Sequence, residues 1–414
     1  MDFDGEYAMI DVKTVFSVAA DPSSFAMRRP MLTAFALSLG AAISLGLSRF
    51  SYALLLPPMR ADLGWTYLLS GSMNTGNAFG YFLGALITPI VMRRCRAQTA
   101  FVWGAVLASV FMMLSGFVVN ANLLMLQRVL AGIASAFIFI SGGVLAVRLS
   151  ALHPHRAGLL IGMYYGGTGL GIIVSALLVP IALAAANTRG ATHAWQWAWV
   201  LLGAVCLLAA AVMARPSAQV DGTPSAPNTQ GNFQIKPFAF GLAGYLMFGV
   251  GYIGYMTFVI ALLKEQGMSA STITLFYALL GLAVMASSRV WARLLDRAKG
   301  GQAIALLNAL LGAATIIPAL TATPVWVFTS GLLFGGIFLS VVAASTALVR
   351  HNLPHHAWSS GISAFTTVFA LGQIIGPSVI GWIADGPGGL QRGLIFSALA
   401  LFIGAVLASR QSAL

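Results

Sequence analysis

Twelve blocks of apolar residues, each about 20 long, follow one another between residues 31 and 409. A helix rises 1.5 Å per residue, so such a block covers the roughly 30 Å of hydrocarbon in a bilayer. In lipid every backbone N–H and C=O must be satisfied within the segment, which leaves the helix as the form each block can take. The spacing predicts spans near 31–57, 67–92, 98–119, 123–148, 157–183, 195–214, 238–263, 271–293, 302–321, 324–348, 358–383 and 391–409. Composition agrees: 59% of the 414 residues are hydrophobic and 8% are charged, against about a quarter charged in a soluble domain. The expected fold class is therefore an all-α membrane protein of twelve transmembrane helices.

The formal charge of +12 would suggest nucleic acid in a soluble chain, but here the positions of the charges decide. With the N-terminus in the cytoplasm, that side receives sixteen of the 22 Lys and Arg, including Arg28, Arg29, Arg93, Arg94, Arg96, Arg148, Arg156, Arg215, Arg293, Arg297 and Arg350. The opposite side receives four: Arg60, Arg189, Lys264 and Arg392. This asymmetry obeys the positive-inside rule and predicts a multi-pass protein with both termini cytoplasmic; the expected location is the bacterial inner (plasma) membrane. Cys95 and Cys206 are too far apart in this topology to form a structural disulfide.

Residues 1–27 are rich in acids and are expected to form a disordered cytoplasmic tail rather than a cleavable signal. Residues 215–237 form a long polar stretch of Pro, Ser, Gly and Asn, which predicts a cytoplasmic linker between a bundle over 28–214 and a second over 238–414. The two parts echo each other. Val147-Arg148 followed by Pro154-His155-Arg156-Ala157 recurs as Val349-Arg350 followed by Pro354-His355-His356-Ala357, about 200 residues later. That offset predicts two pseudo-symmetric six-helix bundles from one duplicated unit. Glycines spaced by four, Gly76, Gly80 and Gly84 and again Gly158, Gly162 and Gly166, provide faces on which helices can pack closely.

Three local motifs, at Trp291-Ala292-Arg293-Leu294-Leu295-Asp296-Arg297, Arg128-Val129-Leu130-Ala131-Gly132 and Gly372-Gln373-Ile374-Ile375-Gly376-Pro377, resemble those of the major facilitator superfamily. Trp291-Ala292-Arg293-Leu294-Leu295-Asp296-Arg297 looks like its cytoplasmic loop signature, and the resemblance implies that Asp296 and Arg297 hold neighbouring helix ends together in gating. The equivalent first-half loop, Arg93-Arg94-Cys95-Arg96, lacks the Asp. Arg128-Val129-Leu130-Ala131-Gly132 is similar to the R-x-x-x-G signature, which implies a coupling or gating role for Arg128, and Gly372-Gln373-Ile374-Ile375-Gly376-Pro377 resembles a G-x-x-x-G-P bend. More narrowly, the run from Arg49-Phe50-Ser51-Tyr52 to Asp62-Leu63-Gly64-Trp65 looks like the first-helix signature of the bacterial YbfB/YjiJ group. The resemblance implies the major facilitator fold and transport, without naming cargo.

Arg49 and Arg128 stand inside spans, where an uncompensated charge costs roughly 2.5 to 3.5 kcal/mol. No span holds an Asp, Glu or His near its middle, so both guanidinium groups lack an obvious counter-ion. A bound carboxylate would satisfy such a planar set of donors; bonding to backbone carbonyls or snorkelling outward is the alternative. Helical spacing adds Asn74, Asn77 and Tyr81 on the second span and Tyr245, Phe248, Tyr252 and Tyr255 on the seventh. Tyr52, Tyr164, Phe369 and Gln373 complete the expected substrate-binding lining.

The expected function is secondary active transport, by alternating access, of a small organic molecule, an organic anion or carboxylate-bearing metabolite in particular. No phosphate-binding loop is present to power primary transport. Efflux of drug-like or toxic compounds is the alternative, followed by a non-transporting membrane sensor. No enzymatic activity, cofactor, metal or nucleic acid is expected. The expected partners are the bilayer, a small-molecule substrate, and a co-transported proton or an exchanged anion, with the chain acting as a monomer.

Overall fold

A computed structural model describes residues 25–221, 233–354 and 357–414. The tail expected over 1–27 lies outside the described residues as far as residue 24, and so does the linker from 222 to 232. Twelve helices have the length and composition to cross a membrane. They are α1 (Pro30–Leu63) and α2 (Tyr67–Arg94), then α3 (Ala97–Ser115), α4 (Ala121–Leu152), α5 (Ala157–Thr188) and α6 (Ala194–Ala218). The second six are α7 (Ala239–Glu265), α8 (Ala270–Val290), α9 (Gln302–Leu320), α10 (Pro324–Asn352), α11 (Trp358–Ala384) and α12 (Gly389–Ser409). Because the spans alternate in direction, the start of α1 and the end of α12 lie on one face, called here the terminal face. The opposite, distal face carries the α1–α2 and α7–α8 connections.

Local chemistry sets these ends. Gly64, at φ 65°, closes α1 in the left-handed region that a side chain disfavours. Thr66, Asn120 and Ser269 then cap α2, α4 and α8 by accepting from backbone N–H groups of the first turn. The first helix runs six residues past its expected end at 57, through Pro57 and Pro58. Neighbouring helices hold this outer portion, so the two missing N–H groups do not terminate it.

Within the first six helices α2 packs on α4, α3 on α4 and α6, and α1 on α5. In the second six, α7 packs on α11 and α12, α9 on α10 and α12, and α8 on α10. The halves join along α2–α11 and α5–α8, with the distal part of α1 against α7. Advancing every helix by six turns one of those two pairs into the other, the relation expected of a duplicated unit. In α1 and α7 the most apolar window is 78% and 89% buried, against 33–56% for the other ten, so these two helices form the axis of the molecule.

Backbones approach closely where glycine permits. A methyl group placed on Gly80 would overlap the Val129 carbonyl, and one on Gly132 the Asn77 carbonyl, so α2 and α4 touch main chain to main chain. Gly169 and Gly281 do the same across the α5–α8 seam. By contrast, Gly158 meets nothing and Gly166 only distant atoms, while Gly167, Gly169 and Gly171 lie against the backbones of α1 and α8.

Candidate functional site

Residues Ala42–Phe50 of α1 wind as a π-helix, a rare form that recurs at functional sites. Ser51 N reaches back five residues to Gly46 O, and Leu54 N then reaches back only three, to Ser51 O. Carbonyls in this change of register become available to side chains. Ser48 O accepts from Arg128 Nη1 at 2.8 Å, and Phe50 O accepts from the Tyr277 hydroxyl of α8 at 2.7 Å. Small residues allow the distortion: Gly46 lies against the backbone of Gly171, and the Ser44 hydroxyl donates to Ser135 O at 2.8 Å.

Arg49 sits on the last turn of this segment and is 3% exposed. Its Nε and Nη2 have no hydrogen-bond partner. The guanidinium carbon lies 5.9 Å from the centroid of the Tyr81 ring, and Tyr252 of α7 lies within range of its charge. Tyr252 donates to Gln373 Oε1 at 2.8 Å and stacks between Phe369 (5.5 Å, 19°) and Phe338 (5.9 Å, 8°). Five of the expected lining residues, Arg49, Tyr81, Tyr252, Phe369 and Gln373, are thus brought together at the axis of the two halves.

Tyr164, Tyr255, Tyr52 and Asn77 lie elsewhere. The Tyr164 hydroxyl donates to Phe139 O at 2.8 Å and its ring is wholly enclosed in the first half. Its neighbour Tyr165, which the sequence did not single out, is 39% exposed and packs on Phe139 at 5.5 Å, and Phe139 in turn meets Tyr81 at 6.5 Å. Tyr255 shares a 2.7 Å hydrogen bond with Ser330 and stacks on Phe334 inside the second half. Tyr52 and Asn77 belong with Arg128. Tyr52 donates to Ser70 O and places its ring 4.9 Å from the Arg128 guanidinium, while the Asn77 amide donates to the Arg128 carbonyl.

Arg128 is 4% exposed, yet it is not bare. Besides Ser48 O, it reaches Asn74 Oδ1 through Nη2 at 3.4 Å and lies 5.5 Å from the Trp199 ring. Asn74 Nδ2 donates to Thr257 Oγ1 of α7 at 2.7 Å, so a polar chain runs from α1 through α4 and α2 into the other half. Arg128 Nε and Trp199 Nε1 remain without partners, and both residues line a small internal void with Tyr52 and Ser115.

Further hydrogen bonds between the halves gather toward the distal face. Asp385, just past α11, accepts from the backbone N–H of Tyr67 (2.7 Å) and of Leu68 (2.8 Å) at the start of α2. The Tyr67 hydroxyl donates to Glu265 at the end of α7, and its ring is covered by Arg60 at 3.7 Å. Ser378 of α11 bonds Ser72 and Thr75 of α2. On the terminal face, Asp296 and Arg297 are exposed on a short helix, Ala292–Arg297, and the ion pairs among the described residues lie elsewhere. Trp291 Nε1 instead ties this segment to Gly336 O, and Asn352 Nδ2 ties the following loop to Lys299 O. In the first half Asp221, beyond α6, pairs with Arg148 at the end of α4 and accepts from Gln98 N at the start of α3. A carboxylate from the linker thereby serves the first-half loop that lacks its own.

Two six-helix halves around a buried, unpaired cation define a membrane transport protein of the two-bundle kind. The family described as "Uncharacterised MFS-type transporter YbfB" matches residues 41–409, and the chain belongs to this family. Among curated relatives, a protein of Agrobacterium vitis named "Putative tartrate transporter" is 25% identical over 84% of this chain and 83% of its own length. A second of the same name and organism is 24% identical over 84% and 86%. Similar solved structures include a bacterial homolog of the human lysosomal transporter Spinster, inward-facing and occupied (TM-score 0.71, 15% identity, 92% of this chain and 97% of that one). A peptide transporter POT (0.70, 14%, 92% and 93%) and the nucleoside transporter NupG (0.67, 13%, 92% and 99%) share the fold as well.

Proposed function

We propose that this protein is a secondary transporter of the bacterial inner membrane that moves a small organic anion bearing a carboxylate by alternating access. The observation that carries it is Arg49: a guanidinium buried at the junction of the halves, with Nε and Nη2 unpartnered. Such a group is costly unless an anion completes it, and a carboxylate matches its planar donors. The relatives named for tartrate transport lend support, tartrate being a carboxylate. A cationic cargo would call for a buried carboxylate, whereas the charged residues buried inside the described spans are the arginines 49 and 128. With both termini in the cytoplasm, as the charge asymmetry favours, the interlocked distal face is the periplasmic one.

Because the interior is negative, uptake of an anion opposes about 2.3 kcal/mol per 100 mV for each charge, so uptake requires a co-transported proton or exchange against another anion. The test is counterflow of labelled organic acids in proteoliposomes with Arg49→Ala and Arg49→Lys. Losing charged hydrogen bonds worth about 1.5–3 kcal/mol each should lower the rate at limiting substrate by at least tenfold in Arg49→Ala, with Arg49→Lys intermediate because it keeps the charge but not the paired donors. Wild-type rates in both variants would overturn the proposal.

A further inference from the structure

Resting on the assignment of Arg49 as the carboxylate anchor, the surroundings of that side chain define the body of the substrate. The walls are rings contributed by both halves. From the first come Tyr81, Phe139 and Tyr165 on α2, α4 and α5. From the second come Tyr252 and Phe369, extended by Phe248, which lies nearly parallel to Phe369 at 5.2 Å and 10°. These rings are not all consumed by packing: Tyr165 is 39% exposed, and Tyr81, Phe139 and Phe369 are only half-buried. A core cluster would bury all of them, as it buries Tyr164 and Tyr255.

Charge around the site is equally restrictive. Arg49 can pair one carboxylate through its buried, unpartnered Nε and Nη2 edge. A second carboxylate would need a second cation, but Arg128 commits Nη1 to Ser48 O and Nη2 to Asn74 Oδ1, and its remaining Nε belongs with Tyr52 and Trp199 inside the first half. A hydroxylated dicarboxylate would therefore leave its second carboxylate among the rings without a cation, where an unpaired charge is strongly disfavoured. A flat apolar body suits those faces, because offset or edge-on aromatic contacts add to the gain from burial.

We infer that the site takes an aryl monocarboxylate in preference to a hydroxylated dicarboxylate such as tartrate. The test uses the purified full-length chain in detergent, with the shift in melting temperature titrated against benzoate, cyclohexanecarboxylate, benzamide and tartrate. Benzoate is expected to bind at least about tenfold more tightly than tartrate, and more tightly than the puckered cyclohexane acid, while benzamide gives no shift. Tyr165→Leu and Phe369→Leu should each weaken benzoate by about three- to tenfold and leave cyclohexanecarboxylate within about twofold. Tartrate binding more tightly than benzoate, or benzoate producing no shift, overturns the inference about the ring; if tartrate binding is then abolished by Arg49→Ala, the anchor stands. Benzoate binding unchanged in Arg49→Ala overturns the anchor itself.

Discussion

Replacing Thr257 with Val should open the distal face more effectively than replacing Asn74 with Ala, although both remove the same 2.7 Å hydrogen bond. In Asn74→Ala the Arg128 Nη2 contact is lost as well, but Asn74 and Arg128 both belong to the first half, so this loss falls on the closed and open states alike. Thr257 continues to donate to Ile253 O at 2.6 Å and forfeits only an accepted bond. The net value of such a bond is about 1 kcal/mol, or roughly a fivefold shift in the balance of states. Thr257→Val keeps the side-chain shape but strands the Asn74 amide N–H, 2% exposed, in the closed state alone. An unsatisfied buried donor costs about 1–3 kcal/mol, a shift of roughly five- to more than a hundredfold.

Spin labels at Asn187 and Ala322, both exposed on the distal face and one in each half, would report the separation by pulsed electron resonance. Cys95, which is partly exposed, must first be replaced by Ser, whereas the buried Cys206 can remain. The long-distance population should grow in the order parent, Asn74→Ala, Thr257→Val. No growth in Thr257→Val, or less than in Asn74→Ala, would refute the reasoning that this contact is made only while the distal face is closed.

Gly80→Ala should lower the melting temperature by several degrees, since the added methyl overlaps the Val129 carbonyl and overpacking costs about 1–3 kcal/mol. Gly158→Ala, with nothing near its Cβ, should be neutral or stabilising by up to about 1 kcal/mol; equal losses in the two would contradict the α2–α4 contact. Asp385→Asn should weaken the charge-assisted bonds to Tyr67 N and Leu68 N, and the same spin-label pair should show more of the distal-open form. Asp221→Ala removes a buried carboxylate that pairs with Arg148 and accepts from the Gln98 N–H, so it should lower the melting temperature while leaving anion affinity within about twofold.

The twelve spans were legible because crossing hydrocarbon demands long apolar runs, and the bilayer imposes that demand segment by segment. Site geometry was legible only in part, since the inference from spacing assumes 3.6 residues per turn throughout. The π-helical stretch over Ala42–Phe50 breaks that assumption in α1, and the residues after it, Tyr52 among them, rotate away from the face that periodicity assigns. On α5 the tight contacts fall at Gly167, Gly169 and Gly171 rather than at Gly158 and Gly166; Tyr164 turns into the core of the first half, and Tyr165 is left exposed beside Phe139. The acceptors of Arg128 escaped notice for another reason. One is a main-chain carbonyl, and no residue type advertises a carbonyl that a change of helical register has freed. The carboxylate serving the first-half loop likewise comes from Asp221, more than 120 residues along the chain from Arg96, where local motif matching has no purchase.

Asp385 meets α2 through peptide nitrogens rather than through the side chains of Tyr67 and Leu68. Every amino acid except proline offers the same N–H at those two positions. As far as this joint alone is concerned, either side chain on α2 can change while the acid opposite stays fixed. Comparisons of related sequences that search for paired changes between columns will register a solitary invariant acid there and miss its counterpart, however firmly the two helices are fastened.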